Sequence, residues 1–342
     1  MELLHQIKSL FLIIILFSLI ACTLPRPHND NLWTTPSCYI DTDYLDSKKE
    51  INMLVLSGGG ANGAWGAGVL HGLRESNRYL DYDVVTGIST GSLIANFAFL
   101  DDPDYDSVLK DSYFYLKSND VFGLRPYTLM VFNDSLSDSD NLKNKIAQLV
   151  SDDFIDRIAL IGREKNKRLY IGTTNLDRGE FVFWDMVDIA SKKKYDLYRS
   201  ILLASSAVPI LYPPVFINNN MNVDGGVSGS IFVPNDILHL NKIKNVYVVY
   251  NGKPNAVGRI ETKNNLKDLA IRNLLVMNER TNILSLMLLE SNPTVNFYLS
   301  CANDVDLVSF KFDQVQVQKI YNAGEDFGKN KEWERNLNKY LK

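Results

Sequence analysis

A serine stands between two glycines where a short β-branched run gives way to a helix-compatible apolar run. The stretch VVTGISTGSLIA places Ser89 two residues after Gly87 and two before Gly91. This spacing is typical of a nucleophile elbow, a turn so tight that its serine is strained and flanking side chains would clash. An ordinary glycine turn has the same pattern, and a chain of this size carries GxSxG by chance roughly one time in ten. The neighbouring motifs must separate these two interpretations.

A second glycine-rich stretch, GGGANG over 58–63, follows the apolar run 52–56 and precedes a small-residue helix predicted at 64–74. Successive glycine N–H groups at the start of a helix suit an anion. The stretch could bind a dinucleotide phosphate through the GxGxxG glycines, form an oxyanion hole, or allow close packing. A dinucleotide site requires an acidic residue at the end of the next strand, but Asp83 is at the start of that strand and Thr86-Gly87 ends it. A P-loop is excluded because no Lys-Ser/Thr follows the glycines. The oxyanion-hole hypothesis assigns the amides of Gly58, Gly59, Gly60 and Ala61.

A serine nucleophile needs a base to accept its proton, and the chain offers an aspartate and a histidine. Asp224 precedes two glycines that let the backbone approach closely, although Asp-Gly is equally typical of an ordinary turn. His239 follows 15 residues later, so Ser89, Asp224 and His239 have the chain order of an α/β-hydrolase triad. His71 is interpreted as a helix-surface residue, and His28 lies in a polar N-terminal segment.

The elements around these residues have the order of a parallel sheet with crossover helices. Strands are predicted at 52–56, 83–86, 168–173, 181–184 and 246–250. The carboxyl ends of neighbouring parallel strands meet at one edge of the sheet. The glycine loop and Ser89 should therefore lie side by side. This arrangement suits acyl transfer, with Ser89 Oγ attacking an ester carbonyl and the loop amides stabilising the oxyanion.

Four motifs in this order resemble those of patatin-like phospholipases, and of their bacterial lipoprotein members in particular. They are SGGGANGAWGAGVL over 57–70, GISTG over 87–91, ASSAVP over 204–209 with Pro213 and Pro214, and DGG over 224–226; GTTNLD over 172–177 is also similar. The resemblance covers about residues 50–252. It implies an α/β protein with a three-layer α/β/α fold and a mostly parallel central sheet.

The resemblance also implies a mechanism and a substrate class. Ser89 is the nucleophile and Asp224 its direct base in a Ser–Asp dyad without histidine, and the substrates are carboxylic esters of phospholipids or lysophospholipids. An unperturbed carboxylate is a weak base for a hydroxyl, so Asp224 is expected to gain basicity from burial. The elbow and motif glycines are Gly63, Gly87, Gly91, Gly225 and Gly226. No metal or cofactor is expected.

The sequence departs from the family at Asn62, where many relatives have Arg or Lys. Asparagine keeps a hydrogen-bond donor but loses the charge, so the rate or substrate preference is expected to differ. Two other functions stay open: a triad esterase that uses His239, and a non-catalytic envelope protein that binds lipid.

The composition is that of an ordinary globular chain and gives no sign of nucleic-acid binding. The 342 residues are 46% hydrophobic with a net charge of −4, and Lys and Arg form no dense cluster. We expect a phospholipid or lysophospholipid substrate and a membrane contact through an N-terminal anchor. No protein partner is predicted.

The N-terminus has the features of an exported lipoprotein. An apolar run follows Lys8 and ends in Leu-Ile-Ala-Cys22, which predicts a signal peptide over 1–21 with a lipobox and a lipidated Cys22. Thr23, and not Asp, follows the cysteine, and by resemblance to known lipoproteins this predicts the outer membrane as the destination. Residues 22–49 are then a polar tether. Cys38 and Cys301 could pair after export or remain free thiols.

Two domain-level expectations complete the prediction. Residues 50–255 form the catalytic domain, and 256–342 form a helical and strand extension packed on the same domain. Within the extension, the dense apolar spacing of 265–289 favours a core helix over a membrane-contacting one. Aromatic and acidic pieces over 101–166 either cover the core or form a lid or acyl-binding wall.

Overall fold

The computed structural model describes residues 48, 50–124, 135–234, 242–254, 262–308, 310 and 312–340. The strands are β1 Ile51–Leu56, β2 Val84–Ile88, β3 Gly123–Leu124, β4 Ser137–Asp138, β5 Arg168–Asn175, β6 Glu180–Asp185, β7 Val215–Ile217, β8 Asn220–Asp224, β9 Ile243–Tyr250 and β10 Asn296–Cys301. The helices are α1 Gly63–Glu75, α2 Thr90–Leu100, α3 Pro103–Phe114, α4 Ser118–Val121, α5 Asp140–Leu149, α6 Asp152–Glu164, α7 Met186–Ser191, α8 Tyr195–Ser205, α9 Leu266–Ser291 and α10 Gln314–Asn330. Short 3₁₀ turns cover Gly60–Asn62, Gly225–Val227 and Leu337–Lys339.

A mostly parallel sheet forms the centre of the α/β fold, as the sequence predicts. Its strand order is β10-β9-β1-β2-β5-β8-β7, with β6 also paired to β5. The run from β10 to β5 is parallel, whereas β6, β7 and β8 are antiparallel additions. All five predicted strands are present. The β7–β8 hairpin and β10 were not predicted.

Strand β5 brings two strand ends to the same place. The parallel neighbour β2 ends with Ile88 opposite Gly172. The antiparallel neighbour β8 ends with Asp224 opposite Thr173, the next residue of β5. Consequently Ser89, which follows β2, and Asp224 converge although 135 residues separate them in the chain.

The two faces of the sheet are covered very differently. On one face, alternate strand residues such as Leu54, Val85 and Ile171 pack into a large core with most of the helices, including α1, α2, α8 and α10. On the other face, Met53, Val248 and their neighbours pack into a smaller core that contains Leu286 and Leu289 of α9. The protein therefore has three layers, and α9 contributes the helical part of the thinner one.

Helix α10 packs against α1 with little space between the two backbones. A Cβ placed on Gly68 or Gly72 would lie 2.1 or 2.2 Å from backbone oxygens of α10, and one on Gly324 or Gly328 would lie 2.3 Å from those of α1. Helix α10 of the C-terminal segment therefore shares the large core with α1. The predicted signal peptide, Cys22, Cys38 and the tether apart from Lys48 lie outside the described residues, and Cys301 is buried at the end of β10.

Candidate active site

Ser89 occupies a strained turn between β2 and α2. Its φ is 56° and its ψ −130°, a conformation that residues with side chains rarely adopt. A Cβ on Gly87 would lie 2.4 Å from Gly91 O, and one on Gly91 would lie 2.3 Å from Leu56 O. Both glycines are therefore required by close backbone contacts. This geometry distinguishes an elbow from an ordinary glycine turn.

Serines from α8 hold the elbow in place. The Ser89 N–H donates to Ser205 Oγ at 3.0 Å, and Ser205 Oγ donates to Gly172 O at 2.7 Å. Ser206 Oγ lies 3.5 Å from Ser89 O. In the sequence these serines stand out only as part of the ASSAVP motif, which indicates no role for them. Their role depends on where the end of α8 lies against β2 and β5, which the motif alone does not reveal.

The glycine loop lies directly beside the serine. A Cβ on Gly58 would be 3.1 Å from Ser89 Cβ, so a side chain there would press on the elbow. Gly59 and Gly60 have φ values of 154° and 58°, which favour glycine. Gly63 faces the first turn of α2, where a Cβ would lie 2.2 Å from Thr90 Oγ1. The predicted adjacency of loop and serine is therefore present.

Asn251, just after β9, fastens the glycine loop. Its Oδ1 accepts from Gly66 N–H at 2.9 Å, its Nδ2 donates to Ser57 O at 2.7 Å, and its own N–H donates to Ser57 Oγ at 2.9 Å. Sequence analysis missed this residue. The available signal was its place at the carboxyl end of a predicted parallel strand, where functional polar residues collect.

Asp224 is a buried carboxylate with incomplete hydrogen bonding. Its Oδ1 accepts from Gly226 N–H at 2.7 Å, while Oδ2 has no hydrogen-bond partner among the described residues. Burial raises its pKa to about 7; the Ser89 side chain and the Gly226 N–H favour the charged form and offset only part of this rise. Gly225 allows the close approach, because a Cβ there would lie 2.6 Å from Gly172 O.

The inner side of α9 supports the turn that follows Asp224. Asn278 Nδ2 donates to Gly226 O at 2.5 Å and to Ser230 Oγ at 2.7 Å. Asn282 accepts from Ser230 N–H at 2.9 Å and donates to Asn278 Oδ1 at 2.9 Å. These asparagines were not singled out from the sequence. Nothing in an apolar helical pattern indicates which turn its few polar residues contact.

Two cavities meet at Ser89. The first, here called the α9 cavity, has a volume of about 780 Å³ including its open mouth. Ser89 and Asp224 line it, and Leu274 and Met277 of α9 form part of its wall. The second, here the α2 cavity, measures about 740 Å³. Its lining is largely apolar and includes Leu93, Phe97, Leu116, Phe122 and Leu142. Gly60, Ser89, Val208 and Phe310 line both cavities.

Other predicted candidates lie elsewhere or outside the described residues. His71 is buried and its Nδ1 lies 2.6 Å from Asp106 Oδ2, at hydrogen-bond distance, so it is not the helix-surface residue expected. His28 and His239 lie outside the described residues, so the triad is not tested. Asn62 accepts from Val308 N–H at 2.9 Å, which gives it a contact with a neighbouring loop.

One cluster has the composition of a metal site. Ligand atoms of His71, Glu75 and Glu325 lie within 4.8 Å of one another. Lys329 forms ion pairs with both glutamates, and a cation bound there would have to displace its ammonium group. We interpret the cluster as an ion-pair network between α1 and α10.

Comparison with known proteins identifies the family. Residues 54–235, just over half of the chain, match the family model for patatin-like phospholipases. The chain therefore belongs to the patatin-like phospholipase family, which confirms the resemblance seen in the motifs and supports lipid hydrolysis as its activity.

Matches occur among solved structures, whereas no curated protein matches the sequence significantly. VipD from Legionella pneumophila is 13% identical with a TM-score of 0.40, over 86% of this chain and 70% of that one. The type III effector protein ExoU is 13% identical with a TM-score of 0.29, over 85% of this chain and 56% of that one.

Proposed function

We propose that this protein is a serine lipid acyl hydrolase of the phospholipase A or lysophospholipase type. Ser89 is the nucleophile, Asp224 is its base, and the amides of Gly58, Gly59, Gly60 and Ala61 form the oxyanion hole. The observation that carries the proposal is the meeting of Ser89 with a buried carboxylate of raised pKa in one cavity. A carboxylate with a pKa near neutral can accept the serine proton more readily than an ordinary aspartate, which is a weaker base.

The proposed reaction has two steps that use the same groups. Asp224 accepts the Ser89 hydroxyl proton as Oγ attacks the ester carbonyl, and the glycine-loop amides stabilise the oxyanion. The C–O bond to the alcohol then breaks, and the departing alcohol takes the proton from Asp224. In the second step a water gives its proton to Asp224 and attacks the acyl-enzyme. Ser89 leaves with that proton and the fatty acid is released.

The two cavities support separate binding places for the acyl chain and the alcohol part of the lipid. The acyl chain occupies the α2 cavity, because its lining is largely apolar. The alcohol part of the ester lies in the α9 cavity beside Asp224. Residues from 101–166 such as Leu116 and Leu142 line the α2 cavity, which favours the acyl-wall interpretation of that region over simple coverage.

The test is labelling by a fluorophosphonate probe, which reacts only with an activated serine. Wild type, Ser89→Ala, Asp224→Asn and His239→Ala are compared, with circular dichroism to check folding. We expect label on wild type and His239→Ala, and none on Ser89→Ala or Asp224→Asn. Loss of label in folded His239→Ala would instead support the triad esterase. No label on folded wild type would contradict the hydrolase and leave the lipid-binding protein.

For its location, we infer an exported lipoprotein held in the outer membrane by a lipidated Cys22. The lipobox-like ending of the apolar N-terminal run supports this proposal. Metabolic labelling with radioactive palmitate should mark wild type and not Cys22→Ala. Equal labelling of both would contradict the anchor.

A further inference from the structure

Helix α9 has an inner face against the protein and an outer face exposed to solvent. Only Asn282, Leu286 and Leu289 of its 26 residues are buried. The outer face comprises Leu266, Leu269, Asn273, Val276, Met277, Arg280, Leu284, Met287 and Leu288. These positions recur every three or four residues and so lie on one side of the helix.

The outer face of α9 is strongly apolar for a solvent-exposed surface. Leu266 is 86% exposed, Leu288 71%, Met277 64% and Leu284 60%. Seven of its nine side chains are large and apolar. Single exposed leucines are ordinary, but a continuous apolar stripe along a helix marks a surface that contacts another apolar phase. Among the described residues, no helix combines the length and apolar character needed to cross a bilayer.

The position of Met277 connects this stripe to the active site. Met277 belongs to the outer face and also lines the α9 cavity, in which Ser89 and Asp224 lie. An apolar molecule in contact with the outer face can therefore reach the cavity along a continuous apolar path. A lipid substrate needs such a path, because every CH₂ of an acyl chain that moves through water costs free energy.

The charges on and around the outer face also fit a lipid surface. The outer face carries Arg280 and no carboxylate, and Lys263 and Lys267 are exposed at the start of the helix. Glu279 is not part of the outer face, and its Oε1 lies 3.9 Å from Arg272 Nη1. Asp268 accepts a hydrogen bond from Asn265 at 2.8 Å at the helix N-terminus. Basic residues beside an apolar stripe are typical of helices that lie in the interface of anionic membranes.

We propose that the outer face of α9 docks the protein on an anionic phospholipid bilayer, with the helix lying in the plane of the interface. The mouth of the α9 cavity then faces the membrane, so that substrate enters through Met277. Docking does not require the chemistry of Ser89; it rests on the proposed function only for the role of lipid as substrate.

Local fluorescence quenching tests the docking surface directly. In an Asp224→Asn background of the full chain, Leu288→Trp is compared with Val315→Trp, whose native residue on α10 is also apolar and 62% exposed. Vesicles of phosphatidylglycerol and phosphatidylcholine carry bromine on their acyl chains. The parent protein, with its four native tryptophans, gives the baseline. Above this baseline we expect quenching of the added tryptophan at 288 and none of the added tryptophan at 315. Equal quenching at both sites, or none at 288, would overturn the proposal.

Substitution of the stripe provides the second measurement. Leu284→Gln with Leu288→Gln should lower the vesicle partition coefficient about 100-fold, given about tenfold for each leucine removed from the apolar phase. The matched control, Tyr115→Gln with Val315→Gln, should leave it unchanged. If sedimentation instead reveals a dimer that the α9 variant dissociates, and tryptophan 288 stays unquenched, the face binds a second copy and the proposal is wrong. Because fluorophosphonate labelling is done without lipid, it tests the proposed function separately.

Discussion

Helices α2 and α9 are both rich in apolar residues and both lie in connections between parallel strands, yet their surroundings are opposite. Ten of the eleven residues of α2 are buried, compared with three of the 26 residues of α9. Helix α2 lies in the large core, where other helices cover it. Helix α9 lies on the thinner side, and only its inner face reaches the small core. The comparison teaches that apolar content fixes what a helix can bury, while its neighbours determine what it does bury.

The difference matters because the two helices contact opposite sides of the site. Helix α2 begins directly after Ser89, so its N-terminal dipole points at the proposed nucleophile. Helix α9 holds the turn after Asp224 through Asn278 and exposes an apolar face to solvent. Ser89, the proposed nucleophile, thus precedes a helix that is almost wholly buried, and Asp224, the proposed base, is supported by a helix with only three buried residues.

The largest expected effect concerns the first turn of α2. Gly91→Ala should abolish labelling of Ser89 and lower the free energy of unfolding by roughly 3 kcal/mol or more, because its Cβ would lie 2.3 Å from Leu56 O. Urea denaturation measures the effect. The control is Gly179→Ala, where a Cβ meets nothing within 4 Å but φ is +65°, for a cost of about 1 kcal/mol. Similar costs at both glycines would contradict the tight elbow.

Truncation of one apolar residue on each helix tests the comparison itself. Ile94→Ala, at a fully buried position of α2, should cost about 3 kcal/mol, whereas Leu284→Ala on the outer face of α9 should cost less than about 0.5 kcal/mol. Unfolding midpoints of the two variants give the result. A large cost for Leu284→Ala would mean that this face is covered in the free protein.

The free energy of unfolding should also depend on pH, because Asp224 is buried. Because the folded pKa of Asp224 is raised to about 7 from 3.8, its contribution to stability is full below about pH 4 and is lost as pH rises through 7. Asp224→Asn removes this loss. The variant should therefore gain up to a few kcal/mol relative to wild type between pH 4 and pH 8, at about 1.4 kcal/mol per pKa unit.

Activity should have the opposite dependence on pH. Wild-type hydrolysis should rise through about pH 7, because only the charged carboxylate accepts the Ser89 proton. An activity midpoint near pH 4, or an Asp224→Asn stability difference that is the same at pH 4 and pH 8, would contradict the buried base.

The smallest effect concerns the inner face of α9. Asn282→Ala leaves the buried Ser230 N–H without its acceptor and should cost about 1–2 kcal/mol, with a reduced kcat because the Asp224 turn loosens. Asn273→Ala, on the outer face of the same helix, should change neither stability nor kcat. If the two asparagines behave alike, α9 does not support the turn.

The comparison also separates what the sequence could reveal from what it could not. The elbow, the glycine loop and all five strands near them were predictable, because each depends on local backbone chemistry. Asn251 and Ser205 were not, since their contacts join segments far apart in the chain. The expectation of a core helix at 265–289 was wrong for most of α9: apolar residues on all sides of a helix do not indicate whether a second layer covers it.

Strand β1 has a consequence for how the chain is made. It lies between β2 and β9 in the sheet, yet β9 follows it by about 190 residues. At synthesis rates of about 5–20 residues per second, one edge of β1 stays without its partner for roughly 10–40 seconds after leaving the ribosome. Throughout that time the nascent protein exposes an apolar strand edge that chaperones can bind. The sheet is complete, and Asn251 can bind the glycine loop, only after β9 and β10 have been synthesised.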